Sequence, residues 1–178
     1  NPAKLWVSDQ LGTGPKIPVV DTNGNIYVTS YQKPLIALDK FGKTRWTAPG
    51  ESNPILDKNG NVYFSGGSYL YAYNKEGTKL WEHLFGEQGG VLLFAISPDD
   101  SALYLRVGTW PNNKFVAFST SGSLLWESYI GAPSPSGAGV ADNGTIFASM
   151  SHAYIQAYSK DGVKLWTGGL GGYVGLSP

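Results

Sequence analysis

The chain has 178 residues, 13 basic and 13 acidic side chains, 42% hydrophobic residues and no cysteine. The balanced charge argues against a surface for nucleic acid or anionic membrane, because such surfaces normally carry a basic excess. The lack of cysteine excludes a disulfide framework, a thiolate metal site and a cysteine nucleophile. The hydrophobic content favours a folded core over disorder, and no apolar run is long enough to predict a transmembrane helix.

The predicted elements are short strands joined by tight turns, in units of about 40 residues. In the first unit, apolar segments at 18–20, 26–30, 35–39 and 43–47 predict four strands. Asn23 and Gly24 precede the second strand, and Asn-Gly ahead of alternating apolar residues is a strong hairpin signal because both residues tolerate the positive φ of the turn. Equivalent segments recur in units that span 15–50, 51–88, 89–132 and 133–168. Since no segment shows a sustained helical period, we predict an all-β chain of four-stranded antiparallel units in a single domain of residues 1–178.

Each unit contains one copy of a ten-residue motif. The copies ALDKFGKTRW, AYNKEGTKLW, AFSTSGSLLW and AYSKDGVKLW begin at residues 37, 72, 117 and 157. A partial copy ends at Trp6, so five of the six tryptophans follow the repeat. The shared positions are Ala37, Gly42, Trp46, Ala72, Gly77, Trp81, Ala117, Gly122, Trp126, Ala157, Gly162 and Trp166.

The three shared residue types predict a contact that holds neighbouring sheets together. Tryptophan supplies a large apolar face, and its indole N–H needs a partner when buried. Alanine is small enough for a ring to lie over it, and glycine permits the turn between the last two strands. A single sheet cannot bury both faces, so the units are expected to stack as blades of a β-propeller, each pair joined by one motif.

The ends of the chain leave the number of blades open. Residues 3–7 resemble a final strand of a unit, and residues 172–177 align with a first strand. The chain is therefore either part of a larger ring or a four- or five-bladed ring with redundant end strands. An open array would expose strand edges, which are templates for self-association.

The ten-residue motif resembles the tryptophan-docking repeat of the pyrroloquinoline-quinone (PQQ)-type propellers, which include quinoprotein enzymes and non-catalytic, BamB-like relatives. The turn is one residue shorter here than in the enzymes. Only Asp39 keeps their acidic residue two places after the alanine, and Asn74, Ser119 and Ser159 replace it in the other units. The resemblance implies an exported bacterial protein that is periplasmic, extracellular or attached to the cell surface.

Neither a cofactor nor a metal is expected. In the enzymes that the motif resembles, PQQ requires a catalytic aspartate, a calcium ion and usually a vicinal disulfide, and this chain has no cysteine. The segments DTNGN and DKNGN resemble the start of a calcium loop, but the twelfth positions hold Gln32 and Ser68 where glutamate is needed. His83 and His152 are not expected to pair, no nucleophile motif is present, and Asp99 and Asp100 fit a tight turn. We therefore expect no enzymatic activity.

Candidate binding residues lie in the longer, more variable connections, because ligand contacts favour loops on a rigid scaffold. Trp110 is the tryptophan outside the repeat and is followed by amide side chains. Exposed rings with amides suit sugars or protein partners, although Trp110 packing against its own hairpin is the alternative. The candidates are Trp110, Asn112, Asn113, Tyr31, Tyr129 and His152.

Taken together, these patterns predict a non-catalytic binding or scaffold module of an exported bacterial protein, with a protein or a polysaccharide as its ligand. Two alternatives remain open at this point. The chain could be a fragment of a quinoprotein-like propeller enzyme whose catalytic residues lie elsewhere, or a structural spacer in a surface protein.

Overall fold

The computed structural model describes residues 14–30, 33–86, 90–109, 111–130, 135–150, 154–169 and 175–176. Within these ranges the chain consists of strands, turns and loops. No helix in the described part of the chain is long and apolar enough to cross a membrane. The predicted all-β class is therefore confirmed.

The first compact unit comprises residues 1–84 and contains two four-stranded antiparallel sheets, each in sequential strand order. The first sheet consists of β1 (Val19–Val20), β2 (Ile26–Ser30), β3 (Lys33–Leu38) and β4 (Thr44–Ala48). The second consists of β5 (Ile55–Leu56), β6 (Val62–Gly66), β7 (Tyr69–Tyr73) and β8 (Lys79–Leu84). The predicted strand at residues 3–7 lies outside the described residues.

The second compact unit comprises residues 85–178 and also contains two antiparallel sheets. One has four strands: β9 (Val91–Ile96), β10 (Ala102–Val107), β11 (Lys114–Ser119) and β12 (Leu124–Tyr129). The other has five strands: β13 (Pro135–Val140), β14 (Ile146–Met150), β15 (Tyr154–Tyr158), β16 (Lys164–Gly169) and β17 (Gly175–Leu176).

The fifth strand differs from the sequence expectation. Residues 172–177 align in sequence with the first strand of a further 40-residue repeat. In the structure, however, Gly175–Leu176 pairs antiparallel with β16 in the same sheet. The edge of β16 otherwise presents unpaired N–H and C=O groups, and the following segment of chain pairs with them locally. Alignment to the repeat could not reveal this, because pairing depends on which edge is available.

Each unit has its own hydrophobic core, formed where its two sheets face each other. In the first unit the core contains Tyr27, Leu35, Ala37, Ala48, Val62, Phe64 and Tyr71. In the second it contains Ala102, Tyr104, Phe115, Ala117, Ile146, Ala148, Met150 and Tyr158. Since each core contains residues from two sheets, burial of apolar surface between the sheets holds each unit together.

In each compact unit, the repeated tryptophan of the first sheet docks on the second sheet. Trp46 of β4 donates its indole N–H to the backbone carbonyl of Lys75 at 3.1 Å, and its ring stacks on Tyr73 at 5.9 Å between centroids. The indole lies directly over Gly77, where a Cβ would come within 2.6 Å of the ring. The glycine therefore has a second role that the sequence analysis missed: besides adopting the positive φ of the turn, it makes room for the ring.

The second unit repeats this contact. Trp126 of β12 donates to the backbone carbonyl of Lys160 at 2.8 Å, lies over Gly162 and stacks on Tyr158 at 6.3 Å. In all four sheets the motif's alanine also lies directly opposite its tryptophan, in the pairs Ala37 and Trp46, Ala72 and Trp81, Ala117 and Trp126, and Ala157 and Trp166. Trp81 and Trp166 contact Tyr63 and Phe147 of their own sheets.

Candidate binding cleft

The predicted binding residues that the structure describes belong to one loop and the strand beside it. Asn112 and Asn113 lie in the loop of residues 108–113, which joins β10 to β11, and Tyr129 ends β12. Trp110, Tyr31 and His152 lie outside the described residues. The structure therefore brings together Asn112, Asn113 and Tyr129.

The loop of residues 108–113 is held by contacts among its own described residues and by one contact with β12. Gly108 has a φ of 105°, and a Cβ there would come within 2.5 Å of the Asn112 carbonyl oxygen, so glycine is required for the loop to close. The backbone N–H of Asn112 donates to the Thr109 carbonyl at 2.7 Å. Tyr129 donates its hydroxyl to the Pro111 carbonyl at 3.1 Å, which attaches the loop to the end of β12.

A cleft of about 210 Å³ lies beside this loop, and we call it the loop cleft. Phe85, Val107 and Val116 give it an apolar floor, while Thr109 and Asn112 supply polar groups from the loop. Its lining residues are Phe85, Val107, Gly108, Thr109, Asn112, Lys114, Val116 and Glu127. A small concave surface with an apolar floor and a few polar groups at its edge is typical of a binding site.

An ion pair stands at one wall of the loop cleft. The ammonium of Lys114 donates to the carboxylate of Glu127 at 2.6 Å, and each side chain is about half exposed, at 43% and 45%. An exposed pair of this kind adds little stability. It does place a positive and a negative group side by side, so the cleft can offer both a charged donor and a charged acceptor to a ligand.

Two of the predicted residues have roles other than the expected one. Asn113 was expected to contact a ligand, but it is fully buried, so its side chain is not available at the surface. Tyr129 is 66% exposed, yet its hydroxyl is bonded to the loop backbone, which makes it a support for the loop. Asn112 does line the cleft.

Of the eight lining residues, only Asn112 was among the sequence candidates; Phe85, Thr109 and Glu127 are among those that sequence reasoning missed. Phe85 comes from the connection EHLFGEQGG, in which a lone aromatic residue among polar residues and glycines is a usable signal. Glu127 follows the repeated Trp126 directly and carried no signal of its own. Its position at the cleft depends on the pairing of β11 with β12, where it lies opposite Val116.

A larger cleft, of about 340 Å³, lies between the turns of the first unit, and we call it the turn cleft. Its carboxylates are occupied by their own turns. Asp21 accepts hydrogen bonds of 2.8–3.1 Å from the backbone of Asn23 and Asn25 and from the side chains of Asn25 and Tyr27. Asp57 repeats this arrangement with the equivalent residues of the next sheet. The segments that resembled calcium loops are therefore hairpin turns.

Two of the turn aspartates have lowered pKa values because their own turns donate hydrogen bonds to them. At Asp21 burial alone would raise the pKa, but the hydrogen bonds from Asn25, Asn23 and Tyr27 outweigh it and lower the pKa. Hydrogen bonds from Ser97 and Ser101 lower the pKa of Asp99 to about 2. Among the residues that the structure describes, no three His, Asp or Glu side chains are grouped so that they could hold a metal ion.

Comparison with known proteins identifies the family. The family model described as outer membrane protein assembly factor BamB matches residues 2–138, whereas no curated protein matches the chain. BamB from Moraxella catarrhalis is similar in structure, with a TM-score of 0.60 and 19% identity over 85% of this chain and 47% of that one.

Two other solved structures share the fold. Virginiamycin B lyase from Staphylococcus aureus aligns with a TM-score of 0.68 and 14% identity, over 85% of this chain and 54% of that one. The Pan2 WD40 domain from Neurospora crassa aligns with a TM-score of 0.66 and 12% identity, over 83% and 47%. The chain thus spans about half the length of these structures. The structural likenesses show a β-propeller fold, and the family match over residues 2–138 shows that the chain belongs to the BamB family of PQQ-type β-propellers.

Proposed function

We propose that this chain is a non-catalytic scaffold module that binds a protein partner, and that the loop cleft receives a short segment of that partner. The observation that carries the proposal is the composition of the cleft. The apolar floor of Phe85, Val107 and Val116 suits one apolar side chain, and the ion pair of Lys114 and Glu127 stands beside it.

The polar groups of the cleft suit a peptide because they can serve its backbone. The side chains of Thr109 and Asn112 make no hydrogen bond with any residue that the structure describes. An amide side chain both donates and accepts, as a peptide group does. Binding residues on a loop that is fixed by its own contacts need little ordering when a ligand arrives, which favours affinity.

We further propose that the module belongs to an exported bacterial protein. The support is the family, whose description refers to assembly of outer membrane proteins. A scaffold in such a compartment needs surfaces for protein partners and no redox or hydrolytic centre of its own.

A peptide-display selection on the immobilised chain, followed by calorimetry of the selected peptides, tests the proposal. We expect peptides that combine an apolar residue with a neighbouring charge. Lys114→Met should weaken their binding by about tenfold, the equivalent of one charge-assisted hydrogen bond. The matched control is Lys79→Met, because Lys79 forms a similar exposed ion pair with Glu82 at 2.9 Å and is not a lining residue of the cleft.

Three results would contradict the proposal. The first is equal loss of binding in Lys79→Met and Lys114→Met, since that would point to a general charge effect. The second is selection of peptides that bind normally to a Val107→Lys variant, because the floor would then have no role. The third is binding of oligosaccharides on a glycan array with no peptide selected, which would assign the cleft to a polysaccharide.

A further inference from the structure

Arg106 is a charged side chain in an apolar place. The sequence has only two arginines, Arg45 and Arg106. Arg106 lies on β10, two residues before the loop of residues 108–113, and is partly buried. Its Nε is fully buried, and no residue in the described part of the chain accepts a hydrogen bond from it.

The neighbours of Arg106 are apolar or aromatic. In the sheet register it lies opposite Phe115 on β11 and Leu92 on β9, and side chains directly opposite each other share a face. Tyr104 is two residues earlier and therefore on the same face, where its ring stacks on Phe115 at 6.4 Å. Burial lowers the pKa of Arg106, and no carboxylate among the described residues offsets that effect.

Such a placement is costly unless something compensates for it. A guanidinium group stays protonated even when it is buried, so it cannot escape the cost of burial by losing its charge. A buried donor without an acceptor loses its bonds to water and gains none in return. Arg45 shows the usual solution, because it is exposed and its Nη1 donates to the Lys75 carbonyl at 3.0 Å.

We propose that Arg106 is an anion-recognition residue, and that its ligand is a carboxylate presented by a binding partner. The planar guanidinium fork matches the two oxygens of a carboxylate. Among the described residues no second cation shares this face with Arg106. A single positive charge balances a carboxylate, whereas a phosphate dianion would need more than one cation.

This site is separate from the loop cleft. Successive side chains of a strand point to opposite faces, so Arg106 and the cleft residue Val107 face opposite sides of β10. A partner that wraps around the end of β10 could use both, but neither site requires the other. The failure of one can therefore be told from the failure of the other.

The test is a titration of the arginine Nε–H signals by ¹⁵N NMR. Two arginines give two signals, and an Arg45→Lys variant assigns them by removing one. Sodium acetate is added at constant ionic strength, followed by a blocked Gly-Glu-Gly peptide and its Gly-Gln-Gly counterpart. We expect the Arg106 signal to shift saturably with acetate and with the glutamate peptide, while the Arg45 signal and the glutamine peptide give no saturable shift.

Comparing the affinities of these ligands distinguishes the possible sources of the carboxylate. Stronger binding of the glutamate peptide than of acetate would indicate a protein segment, and equal binding would indicate a free small carboxylate. Arg106→Lys, which keeps the charge and loses the fork, should weaken binding by at least about tenfold. The titration of the wild-type chain stands even if a variant at position 106 fails to fold.

Three results would overturn the inference. An Arg106 signal that no carboxylate shifts would leave the guanidinium without a ligand of this class. A coupling across a hydrogen bond from the Arg106 Nε–H to a protein carbonyl carbon, seen before any anion is added, would mean that the group is already bonded within the chain; slow exchange alone would follow from its burial. Saturable binding of inorganic phosphate in preference to acetate would contradict the choice of a carboxylate.

Discussion

The turn cleft of the first unit is larger than the loop cleft of the second, but its carboxylates are less available to a ligand. The turn cleft is larger, at about 340 Å³ against about 210 Å³. Its carboxylates, Asp21 and Asp57, each accept four hydrogen bonds from their own turns. The comparison teaches that a site is recognised by the polar groups that remain available and not by volume.

The side of the first unit that carries the turn cleft is also where its two sheets are joined. The Lys75 carbonyl accepts hydrogen bonds from Arg45 and Trp46, and Lys75 itself lines the turn cleft. The charged side chains of the loop cleft have a smaller structural role, because the Lys114–Glu127 pair is exposed. Substitutions near the turn cleft should therefore cost stability, and those in the loop cleft should cost binding.

The largest expected effect is that of Trp46→Ala, which removes the ring stacked on Tyr73 and the hydrogen bond to Lys75. We expect a loss of roughly 3–5 kcal/mol in the free energy of unfolding, as for other large buried aromatics. Urea unfolding followed by circular dichroism measures it, with Trp46→Phe as a milder control. A loss below about 1 kcal/mol would mean that the docked ring does not hold the two sheets together.

The next largest effect is expected at Gly77, and a comparison with Gly67 separates backbone strain from a steric clash with the ring. Gly77→Ala introduces a methyl group within 2.6 Å of the Trp46 ring at a φ of 91°. Gly67→Ala introduces one at a φ of 59° with open space around it. We expect about 1–2 kcal/mol from backbone strain at both positions and about 1–3 kcal/mol more from the clash at Gly77. Thermal unfolding of the pair checks this, and equal losses would show that the ring moves aside freely.

Acid should weaken the turn region through Asp21, whose hydrogen bonds lower its pKa below the ordinary value of 3.8 in spite of burial. A carboxylate with a lowered folded pKa contributes stability above the unfolded value and loses it as the pH falls below that value. The free energy of unfolding should therefore decline between pH 5 and about 2, and the decline should be shallower in Asp21→Asn. If the pH dependence of the unfolding free energy is unchanged in that variant, Asp21 does not contribute to the loss of stability in acid. Asp99, with its pKa of about 2, should contribute over the same range.

The smallest expected effect on stability is in the loop cleft. Lys114→Met breaks the exposed ion pair with Glu127 and should change the free energy of unfolding by less than about 1 kcal/mol. The same urea assay measures it beside the binding assay. A loss comparable with that of Trp46→Ala would erase the distinction between the two clefts.

The sequence predicted those parts of the fold that local chemistry decides. The alternation in IYVTS predicted strand β2, and the Asn-Gly pair at 23–24 predicted the turn before it, because a hairpin turn depends on the conformations of two residues. The repeat of Ala37 and Trp46 gave the sheet count, since it reflects one contact per sheet.

The candidate site was less accessible to prediction, because it depends on contacts that are distant in sequence. Asn112 and Asn113 are adjacent amides in one loop, yet one lines the cleft and the other is fully buried. Which of the two side chains is buried depends on how the loop packs, including the close approach of Gly108 to the Asn112 carbonyl, and a sequence pattern does not show that packing. Phe85 reaches the cleft from a different connection, so its role becomes visible only in three dimensions. Self-association and the polysaccharide alternative stay predictions.

The docking of Trp46 also bears on how such a chain can change in length over evolution. The ring requires a turn carbonyl, a turn glycine and a tyrosine from the sheet that follows, and Trp126 requires the same three groups. That tyrosine is the second residue of the motif in the second and fourth repeats, whereas the first and third repeats have Leu38 and Phe118 there. A gene segment that encodes two successive repeats of about 40 residues each therefore carries both a tryptophan and its full receiving set. In-frame duplication of such a segment would copy this contact together with the residues that make it. Arrays with different numbers of units could therefore arise without the invention of a new contact.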